Sequence, residues 1–327
     1  MLYIINNSTD PWFNLALEEV LMKDKSINDD IVMLWQNDKS VIIGKHQNTV
    51  EEVNQQFADS NNIKIARRTT GGGAVYHDLG NLNYTFITNY YDKKNVDFKK
   101  FAIPVVKALQ SLGLNPELSG RNDILLDGKK ISGTAQACIG DRFMFHGTLL
   151  FDINIEMASK VLTVKADKIE SKGIKSVKSR MTNIKPYLQG LNINDFKEKI
   201  ISSFEQNSVD FIKRDMNQSE IDRVYELYNN KFSKSEWNYG YSPKCNFHKY
   251  TKQPCGGIDI NLNIQNGYVT ECKIFGDFIG IRDISDVENI IKNKMYSINT
   301  IREEIDKLNL DQYFGIITTE QLMDCIF

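Results

Sequence analysis

Apolar positions at the start of the chain change from strand spacing to helix spacing. Residues 2–6 have the pattern of a short strand. Asp10 then has the residue type of a helix N-cap, and Pro11 suits the first helical position. We predict an amphipathic helix after them, because apolar residues recur there at helical spacing. Its apolar face carries Phe13, Leu17, Val20 and Leu21.

The rest of the first half continues this alternation. Strand-like runs occur at residues 31–35, 41–44, 64–68, 74–76 and 84–87, and helical runs at 50–58 and 98–112. Gly113 ends the second of these helices. Two-residue hairpin turns are predicted at Asp127–Gly128 and Gly140–Asp141. The alternation of strands and helices indicates an α/β or α+β domain.

A smaller unit is predicted towards the C-terminal end. Helices are expected at residues 195–206 and 219–229, after which Gly240 and Pro243 mark a boundary. Strands at 258–264 and 268–275, joined at Asn266–Gly267, precede helices at 287–293 and 298–307. We therefore divide the chain into a first domain of residues 1–240 and an accessory α+β domain of residues 241–327.

Composition favours an ordinary globular protein. The 327 residues are 41% hydrophobic and 25% charged, and the net charge of −2 gives no overall attraction to nucleic acid or to an anionic membrane. No apolar run approaches the ~18 residues of a membrane-spanning helix, and the first residues lack the pattern of a signal peptide. The five cysteines include no Cys-x-x-Cys pair, which fits a reducing compartment. We therefore expect a cytoplasmic protein.

Three consecutive glycines, Gly71–Gly73, follow two arginines and two threonines between strand-like runs. Glycine in this setting indicates that the backbone needs space, as where a ligand approaches bare N–H groups. The arginines and threonines add charged and hydroxyl donors, which suits a thin, partly anionic ligand. The spacing matches neither a Walker A loop nor Gly-x-Gly-x-x-Gly. From the glycines alone, a β-turn with solvated arginines remains an alternative.

The hairpin at Asp127–Gly128 forms the second chemical stretch. Asp123 and Lys130 flank the turn at similar distances, so we expect the hairpin to bring them close together. The bland alternative is a meander whose lysines face water, as most lysines do. His46, which follows a strand-like run, has the alternative of lining a pocket, but a lone surface histidine is the preferred interpretation.

The third stretch, residues 160–185, is basic. It holds a local charge of +6 in a chain whose total is −2. A solvated charge run is the default interpretation. A flexible basic loop that contains a glycine can also fold over a triphosphate and exclude water from a reaction.

Three segments together carry a family resemblance. Residues 67–81 read Arg-Arg-Thr-Thr-Gly-Gly-Gly-Ala-Val-Tyr-His-Asp-Leu-Gly-Asn, residues 130–136 read Lys-Ile-Ser-Gly-Thr-Ala-Gln, and residues 146–150 read His-Gly-Thr-Leu-Leu. These segments resemble the signatures of the lipoate-protein ligases, and residues 172–183 resemble the adenylate-binding loop of that family. The resemblance covers essentially the whole chain. It implies an α+β catalytic domain of the biotin/lipoate ligase type, with a mixed or antiparallel sheet and flanking helices, followed by a small accessory domain.

The resemblance also implies a role for each matching residue. Lys130 matches the essential lysine of the family and would act as an electrostatic catalyst that contacts both the nucleotide and the lipoyl group. The ATP or adenylate site would further include Arg68, Gly73, Ala74, Val75, Tyr76, Gly173 and Ser176. The lipoyl site would further include Thr70, Gly71, Gly72, His77, His146 and Gly147. Asn122 and Asp123 would orient Mg²⁺ or the attacking amine, without a fixed metal site in the protein.

The reaction implied by the resemblance has two steps. Free lipoate and ATP with Mg²⁺ would form lipoyl-AMP, and a lysine ε-amine of an acceptor protein would then form an amide with the lipoyl group. The implied acceptors are the lipoyl domains of 2-oxoacid dehydrogenase subunits or the glycine cleavage H protein. No tightly bound cofactor, nucleic acid or membrane is implied.

Three other functions remain open at this stage. A cysteine-dependent octanoyl- or lipoyl-transferase of the same superfamily would use Cys138 as its nucleophile and would need no ATP. The bland interpretation of Cys138 is a small buried strand residue. A biotin ligase would share the fold but should have a different glycine segment. A non-enzymatic lipoyl carrier or adenylate-binding protein would need neither Lys130 nor the basic loop.

Overall fold

The computed structural model describes residues 1–89, 99–120, 122–163, 180–239, 245–265 and 267–327. Its strands are β1 (Leu2–Ile5), β2 (Ile31–Trp35), β3 (Ser40–Ile43), β4 (Lys64–Arg67), β5 (Val75–His77), β6 (Asn81–Asn89), β7 (Glu117–Ser119), β8 (Asp123–Leu126), β9 (Lys129–Ile139), β10 (Arg142–Leu150), β11 (Ile212–Asp215), β12 (Phe247–Gln253), β13 (Gly256–Gln265) and β14 (Tyr268–Gly276).

Its α-helices are α1 (Pro11–Lys23), α2 (Thr49–Glu52), α3 (Gln55–Ser60), α4 (Lys99–Gln110), α5 (Ile155–Val161), α6 (Ile193–Gln206), α7 (Gln218–Leu227), α8 (Ser235–Tyr239), α9 (Ser285–Ile291), α10 (Ile298–Ile305), α11 (Asp311–Phe314) and α12 (Thr319–Ile326). A 3₁₀ turn at Lys185–Tyr187 and a π-helical turn at Tyr228–Phe232 complete the regular structure of the described residues.

The first domain is built on a mixed sheet with strand order β11-β1-β2-β6-β10-β9-β8-β7. β1 runs parallel to β2 and β11, and the other pairs are antiparallel. Helices α4 and α6 cover one face, through a core that includes Val105, Phe145 and Phe196. Helix α1 covers the other face, through a core that includes Leu17 and Met144. The predicted α+β class is confirmed.

A second, three-stranded sheet with the order β4-β3-β5 lies on the α1 side. Ile42 and Ala66 of this small sheet join the core around α1. Val41 and Tyr76 point to the opposite side and pack with Ala158 of α5. The three glycines connect β4 to β5, so the packing of the small sheet positions the glycine loop beside the large sheet.

The accessory domain is a three-stranded antiparallel sheet, β12-β13-β14, covered by α9 to α12. Its core includes Ile260 and Ile274 from the sheet and Ile301 and Leu322 from the helices. The proposed boundary at residues 240 and 241 lies in the segment 240–244, outside the described residues.

Local signals predicted most elements of the first domain. Asp10 caps α1 by accepting bonds from the N–H groups of Trp12 and Phe13, and Asp127 and Gly128 both have the positive φ of a tight hairpin. The prediction of one helix over residues 50–58 is wrong. It divides into α2 and α3, because the side chain of Asn54 caps a new helix.

Other predictions were incomplete in the accessory domain. Strand β12 and helices α11 and α12 were not predicted, although their capping and pairing are regular: α12 begins with a capping box at Thr318 and Gln321. The turn between β13 and β14 was expected at Asn266–Gly267, of which Asn266 lies outside the described residues.

Three contacts join the accessory domain to the segment that follows β3. The ring of His46 stacks on Phe278 with 5.0 Å between centroids. The Gly276 N–H donates to the main-chain oxygen of His46 at 2.6 Å, and Lys45 pairs with Asp283 at 2.7 Å. His46 is only 6% exposed, so the expectation of a surface histidine is wrong. The aromatic partner that buries it lies more than 200 positions away in sequence.

Burial of His46 makes folding sensitive to acid. Burial, reinforced by the neighbouring Lys45 charge, lowers the pKa of His46 from 6.5 to about 3. The unfolded chain takes up this proton as the pH falls below 6.5, whereas the folded chain does not. We expect this residue to lower the free energy of unfolding by about 2 kcal/mol between pH 7 and pH 5. Denaturant titrations of wild type and His46→Phe at pH 7 and pH 5 would measure this loss. An equal change of the free energy of unfolding with pH in the two proteins would contradict the prediction.

Candidate active site

Register places Lys130 and Asp123 on one face of the large sheet. Lys130 lies opposite Leu125, and Asp123 lies opposite Gly133. Residues that face each other across a ladder share a face of the sheet, as do alternate residues of one strand. The side chains form an ion pair with 2.7 Å between Lys130 Nζ and Asp123 Oδ1. The predicted proximity of these two residues is confirmed.

A β-bulge decides what lies beneath the lysine. The register of β8 and β9 shifts by one residue, which makes Ile131 the extra residue of β9. The shift brings Gly133, instead of Ser132, onto the face of Lys130. A Cβ atom on Gly133 would lie 2.8 Å from Lys130 Nζ. The glycine therefore leaves the space in which the ammonium group rests.

The same face of the sheet leads from Lys130 to His146. Two residues beyond Gly133, Ala135 lies opposite His146 of β10, and His146 lies opposite Thr85 of β6. By strand spacing, the Cα atom of Gly133, beneath the ammonium group, is about 8 Å from the Cα atom of His146, two residues along a strand and one strand across. Lys130 and His146, both predicted site residues, thus lie at the two ends of one line of residues on this sheet face. We call this line, from Lys130 through Gly133 and Ala135 to His146, the lysine track.

Buried hydrogen bonds continue from His146 into the molecule. His146 Nδ1 lies 2.8 Å from Glu18 Oε1, and His146 Nε2 lies 2.9 Å from Thr70 Oγ1. Glu18 Oε1 also accepts a bond of 2.6 Å from Thr85, which accepts one of 2.8 Å from Trp35 Nε1. Glu18 is 1% exposed. This network connects helix α1, the glycine loop and the large sheet.

Arg68 holds the glycine loop from inside. Its guanidinium donates to the main-chain oxygens of Ile42 (3.0 Å), Gly71 (2.6 Å) and Gly73 (2.9 Å), and its Nε donates to Thr70 Oγ1 (2.9 Å). Burial lowers the pKa of Arg68 to about 10, so the group stays charged at neutral pH. The loop conformation and this buried charge depend on each other.

Arg67 plays a comparable part on the neighbouring segment. Burial lowers the pKa of Arg67 to about 10, and main-chain and hydroxyl oxygens surround its guanidinium. Its acceptors are the main-chain oxygens of Gly44, Lys45, Gln47, Trp237 and Asn238 and the hydroxyl of Thr49. Arg67 therefore fixes residues 44–49 to helix α8.

The accessory domain touches the glycine loop directly. The Gly72 N–H donates to the main-chain oxygen of Phe278 at 3.2 Å. A Cβ atom on Gly71 would lie 2.5 Å from the same oxygen, whereas nothing lies within 4 Å of a Cβ atom on Gly73. Close approach of the accessory domain thus accounts for Gly71, while Gly73 faces open space.

The remaining residues predicted near the loop lie in β5 and β10. Val75 packs against the α1 core, and Ala74 and Tyr76 belong to the core on the other side of the small sheet. Gly147 lies beside Tyr84, whose hydroxyl oxygen would be 2.4 Å from a Cβ atom there. His77 is 3% exposed. The structure thus brings the glycine loop, β5 and His146 together around the interior of the first domain.

A cavity of about 350 Å³ opens between the two domains beside the Lys130–Asp123 pair. Its polar lining includes Asn122, Asp123 and Gln136, and its apolar lining includes Phe145 and Ile279. Asn122 Nδ2 donates to the main-chain oxygen of Thr134 at 3.3 Å. Both residues predicted to orient Mg²⁺ or an amine therefore border open space next to Lys130.

Comparison with known proteins identifies the family. Residues 10–205 match the family described as Lipoyl protein ligase A/B catalytic domain, and residues 242–326 match Bacterial lipoate protein ligase C-terminus. The lipoate-protein ligase LplJ of Bacillus subtilis is 42% identical over 331 residues, which cover 100% of each chain. This chain belongs to the lipoate-protein ligase family.

A further relative and two solved structures are similar to this chain over most of their own length. Lipoate–protein ligase 1 of Staphylococcus aureus is 41% identical, with 97% of each chain covered. The structure of LipL1 from P. falciparum in complex with lipoate has a TM-score of 0.80 at 30% identity and covers 94% of each chain. A lipoate-protein ligase A bound with ATP has a TM-score of 0.63 at 30% identity; it covers 73% of this chain and 98% of its own. This ligase is therefore similar along nearly its full length to proteins named as lipoate-protein ligases.

The basic loop of this ligase lies largely outside the described residues. Residues 164–179 are omitted, and this range contains Gly173 and Ser176. The chain is described again from Arg180. Met181 forms an isolated parallel β-bridge with Lys130, and the Thr182 N–H donates to the main-chain oxygen of Lys130 at 3.0 Å. The end of the basic segment is therefore fixed beside the lysine.

Cys138 lies on the opposite face of the sheet from Lys130. It lies opposite Phe143, and both pack in the core beneath α4 and α6. Gly133 and Ala135 alternate with Thr134 and Gln136 along β9, so the even-numbered Cys138 points away from the lysine track. This geometry matches the interpretation of Cys138 as a strand residue.

Across the described ranges, no three or more His, Cys, Asp or Glu side chains are grouped so that they could hold a metal ion. Within the same ranges, no helix of this ligase combines the length and apolar character that crossing a bilayer requires.

Gly71 and Gly73 form a matched pair for mutation. We expect Gly71→Ala to lower the free energy of unfolding by about 1–3 kcal/mol, because its Cβ would press on the Phe278 oxygen. Gly73→Ala should leave stability unchanged, because its Cβ meets open space, and should weaken ATP binding if the nucleotide approaches there. Thermal unfolding and ATP titration would measure both effects. Equal loss of stability in the two variants would contradict this account.

Proposed function

We propose that this ligase activates free lipoate with Mg–ATP to give lipoyl-AMP and pyrophosphate, and then transfers the lipoyl group to a lysine of an acceptor protein. One observation carries the proposal: Lys130 is held at a fixed point, by Asp123 and above Gly133, at the mouth of a track that leads into the protein. Its side chain remains 30% exposed, so the charge is both positioned and accessible.

Lys130 would supply the charge that adenylation needs. The carboxylate of lipoate attacks the α-phosphorus of ATP, and pyrophosphate leaves. Two anions must approach each other in this step, and a fixed ammonium group stabilises the negative charge that develops on the phosphoryl oxygens. Lysine is a compact charge on a long stem, so it can reach both the acyl carboxylate and the phosphate.

The glycine loop would receive the nucleotide through its backbone. Arg68 already donates to the carbonyls of Gly71 and Gly73, so we assign it the task of shaping the loop, in place of direct nucleotide contact. Gly73 offers open space for the nucleotide, and the backbone from Ala74 to Tyr76 adjoins it. Contacts of Gly173 and Ser176 with the phosphate or ribose remain predictions.

The second step would use an acceptor protein. A deprotonated lysine ε-amine attacks the acyl carbon of lipoyl-AMP, the amide forms, and AMP leaves. We propose lipoyl domains of 2-oxoacid dehydrogenase subunits and the glycine cleavage H protein as acceptors in the cytoplasm. A solved archaeal relative of two parts was studied with its E2 lipoyl domain, which supports this class. Residues 1–240 would carry both steps, with residues 241–327 as the accessory domain.

The transferase alternative requires Cys138 to reach the acyl group. Cys138 and Lys130 lie on opposite faces of the sheet, so one substrate cannot contact both from the same side. No observation on the described residues favours the cysteine as a nucleophile, and adenylation is therefore the better supported reaction.

Lipoate-dependent exchange between ATP and pyrophosphate tests the proposal. We expect wild type to catalyse the exchange, and Lys130→Ala to lower its rate by about 100- to 1,000-fold, as loss of a preorganised electrostatic group does. The fold should persist, because the lysine contributes charge more than packing.

Two control variants sharpen this experiment. Lys129 is the exposed neighbour of Lys130 at the hairpin turn. The substitution Lys129→Ala removes an equal charge and should leave the exchange rate near that of wild type. The Cys138→Ser variant should also retain the wild-type rate of exchange. Exchange that survives Lys130→Ala in folded protein, or an acyl-thioester on Cys138 formed without ATP, would contradict the proposal.

A further inference from the structure

Strand β9 changes its neighbouring strand halfway along its length. Residues 134–139 pair with β10 on one side, whereas residues 129–133 pair with β8 on the other side. Where β9 and β10 separate, the Gly133 N–H donates to Thr148 Oγ1 at 3.1 Å. The half of β9 that carries Lys130 therefore lies beyond the ladder that joins β9 to β10.

Residues 181–185 fill the gap between this half of β9 and the end of β10, and we call them the wedge. Lys130 pairs with Leu125 of β8 on one side. Because a strand has one neighbour on each side, the parallel bridge between Lys130 and Met181 lies on the β10 side. The Thr182 N–H donates to the main-chain oxygen of Lys130 at 3.0 Å. The wedge thus takes the place of a neighbouring strand beside the lysine.

The other end of the wedge is fixed to β10 and to the core. The Ile184 N–H donates to the main-chain oxygen of Leu150 at 2.7 Å. The Ile184 side chain is fully buried in the core beneath α4 and α6. The side chain of Asn183 makes two bonds, of 3.1 and 3.0 Å, with the main chain of Ile153. The wedge is therefore a fixed part of the first domain against which Lys130 is held.

The lysine itself lies on a narrow hairpin. Strands β8 and β9 form this hairpin, and β7 adds three residues to its outer edge. The β-bulge at Ile131 interrupts the pairing beside Lys130, and small hairpins are only marginally stable by themselves. Asp123, which pairs with the ammonium group, belongs to the same hairpin. The ion pair therefore fixes the ammonium group to the hairpin, and the wedge fixes the hairpin to the domain.

We propose that Thr182 is a positioning residue for adenylation: its main-chain N–H holds Lys130 at the place where the ammonium group meets the reacting phosphate. The inference rests on the proposed function and deepens it. The Thr182 hydroxyl contacts the main-chain oxygen of Asn183 at 3.5 Å, so the role belongs to the main chain. Displacing a catalytic group by about 1 Å can lower a rate by about 100-fold.

A backbone ester at Thr182 tests this inference. The ester oxygen replaces the N–H and keeps the side chain. We expect kcat for lipoate-dependent ATP–pyrophosphate exchange to fall by about 10- to 100-fold. The KM for ATP should change by less than about 2-fold, because the positioned charge acts on the transition state. The Thr182→Val variant keeps the N–H and removes the hydroxyl, so it should retain the wild-type rate; a loss equal to that of the ester would overturn the inference.

The same ester at Lys185 is the matched control. The Lys185 N–H donates to the main-chain oxygen of Phe151 at 2.9 Å, so this ester removes a bond of similar length from the other end of the wedge. Both esters should lower the midpoint of thermal unfolding by similar amounts, but the Lys185 ester should leave kcat near that of wild type. Equal kcat values in the two ester proteins would overturn the inference. Failure of wild type to catalyse the exchange would instead refute the proposed function.

The Lys130→Ala background shows whether Thr182 acts through the lysine. In that background, the Thr182 ester should lower the remaining exchange rate by less than about 2-fold, because the group that it positions is absent. A loss as large as that in the wild-type background would overturn the inference.

Amide hydrogen exchange of wild type gives a test that needs no variant to fold. The Thr182 N–H should exchange about as slowly as the Lys185 N–H, because each has a main-chain acceptor in the folded domain. Exchange of the Thr182 N–H at the rate of an unprotected amide would overturn the inference.

Discussion

The buried charge of Arg68 is the constraint on which the rest of the site depends. A guanidinium that is 6% exposed must find acceptors and an opposite charge within the protein. The carbonyls of the glycine loop supply the acceptors, and Glu18 supplies the charge, through Thr70 and His146. The loop is therefore tied to helix α1 by a continuous set of buried hydrogen bonds.

This arrangement separates two tasks along one sheet face. At the rim, Lys130 and Asp123 form a partly exposed pair in which charge is available to a reacting phosphate. In the interior, the polar groups of Glu18, Thr70 and His146 are buried and hydrogen-bonded to one another. Electrostatic catalysis needs a fixed and accessible charge, as at the rim. Recognition of an apolar acyl chain needs a buried site with a few fixed polar groups, as in the interior. The accessory domain also restricts the glycine loop, because the main-chain oxygen of Phe278 lies against it.

Local sequence signals predicted the parts of this site that local geometry controls. The turn at Asp127–Gly128 brought Asp123 and Lys130 together, as hairpin pairing requires. The bulge at Ile131 was not predicted, because no turn residue marks it. Its consequence, Gly133 beneath the lysine, becomes visible only with the register.

Contacts distant in sequence explain what could not be predicted. Glu18 lies in a helix whose neighbouring residues are buried on nearly every side, so helical periodicity did not single it out. His46 has the residue type of a surface position and is buried only because Phe278 of the other domain stacks on it. The two adjacent acidic residues Glu18 and Glu19, in a helix that is mostly apolar, were the available signal for the buried network.

Transfer of isotope from lipoate to AMP tests the central claim most directly. Lipoate labelled with oxygen-18 in its carboxylate would be turned over with ATP and an apo lipoyl domain, and the AMP analysed by mass spectrometry. Attack of the carboxylate on the α-phosphorus leaves one labelled oxygen on AMP for each amide formed, which is the result this account predicts. Unlabelled AMP, label in inorganic phosphate, or amide formation without ATP would contradict it.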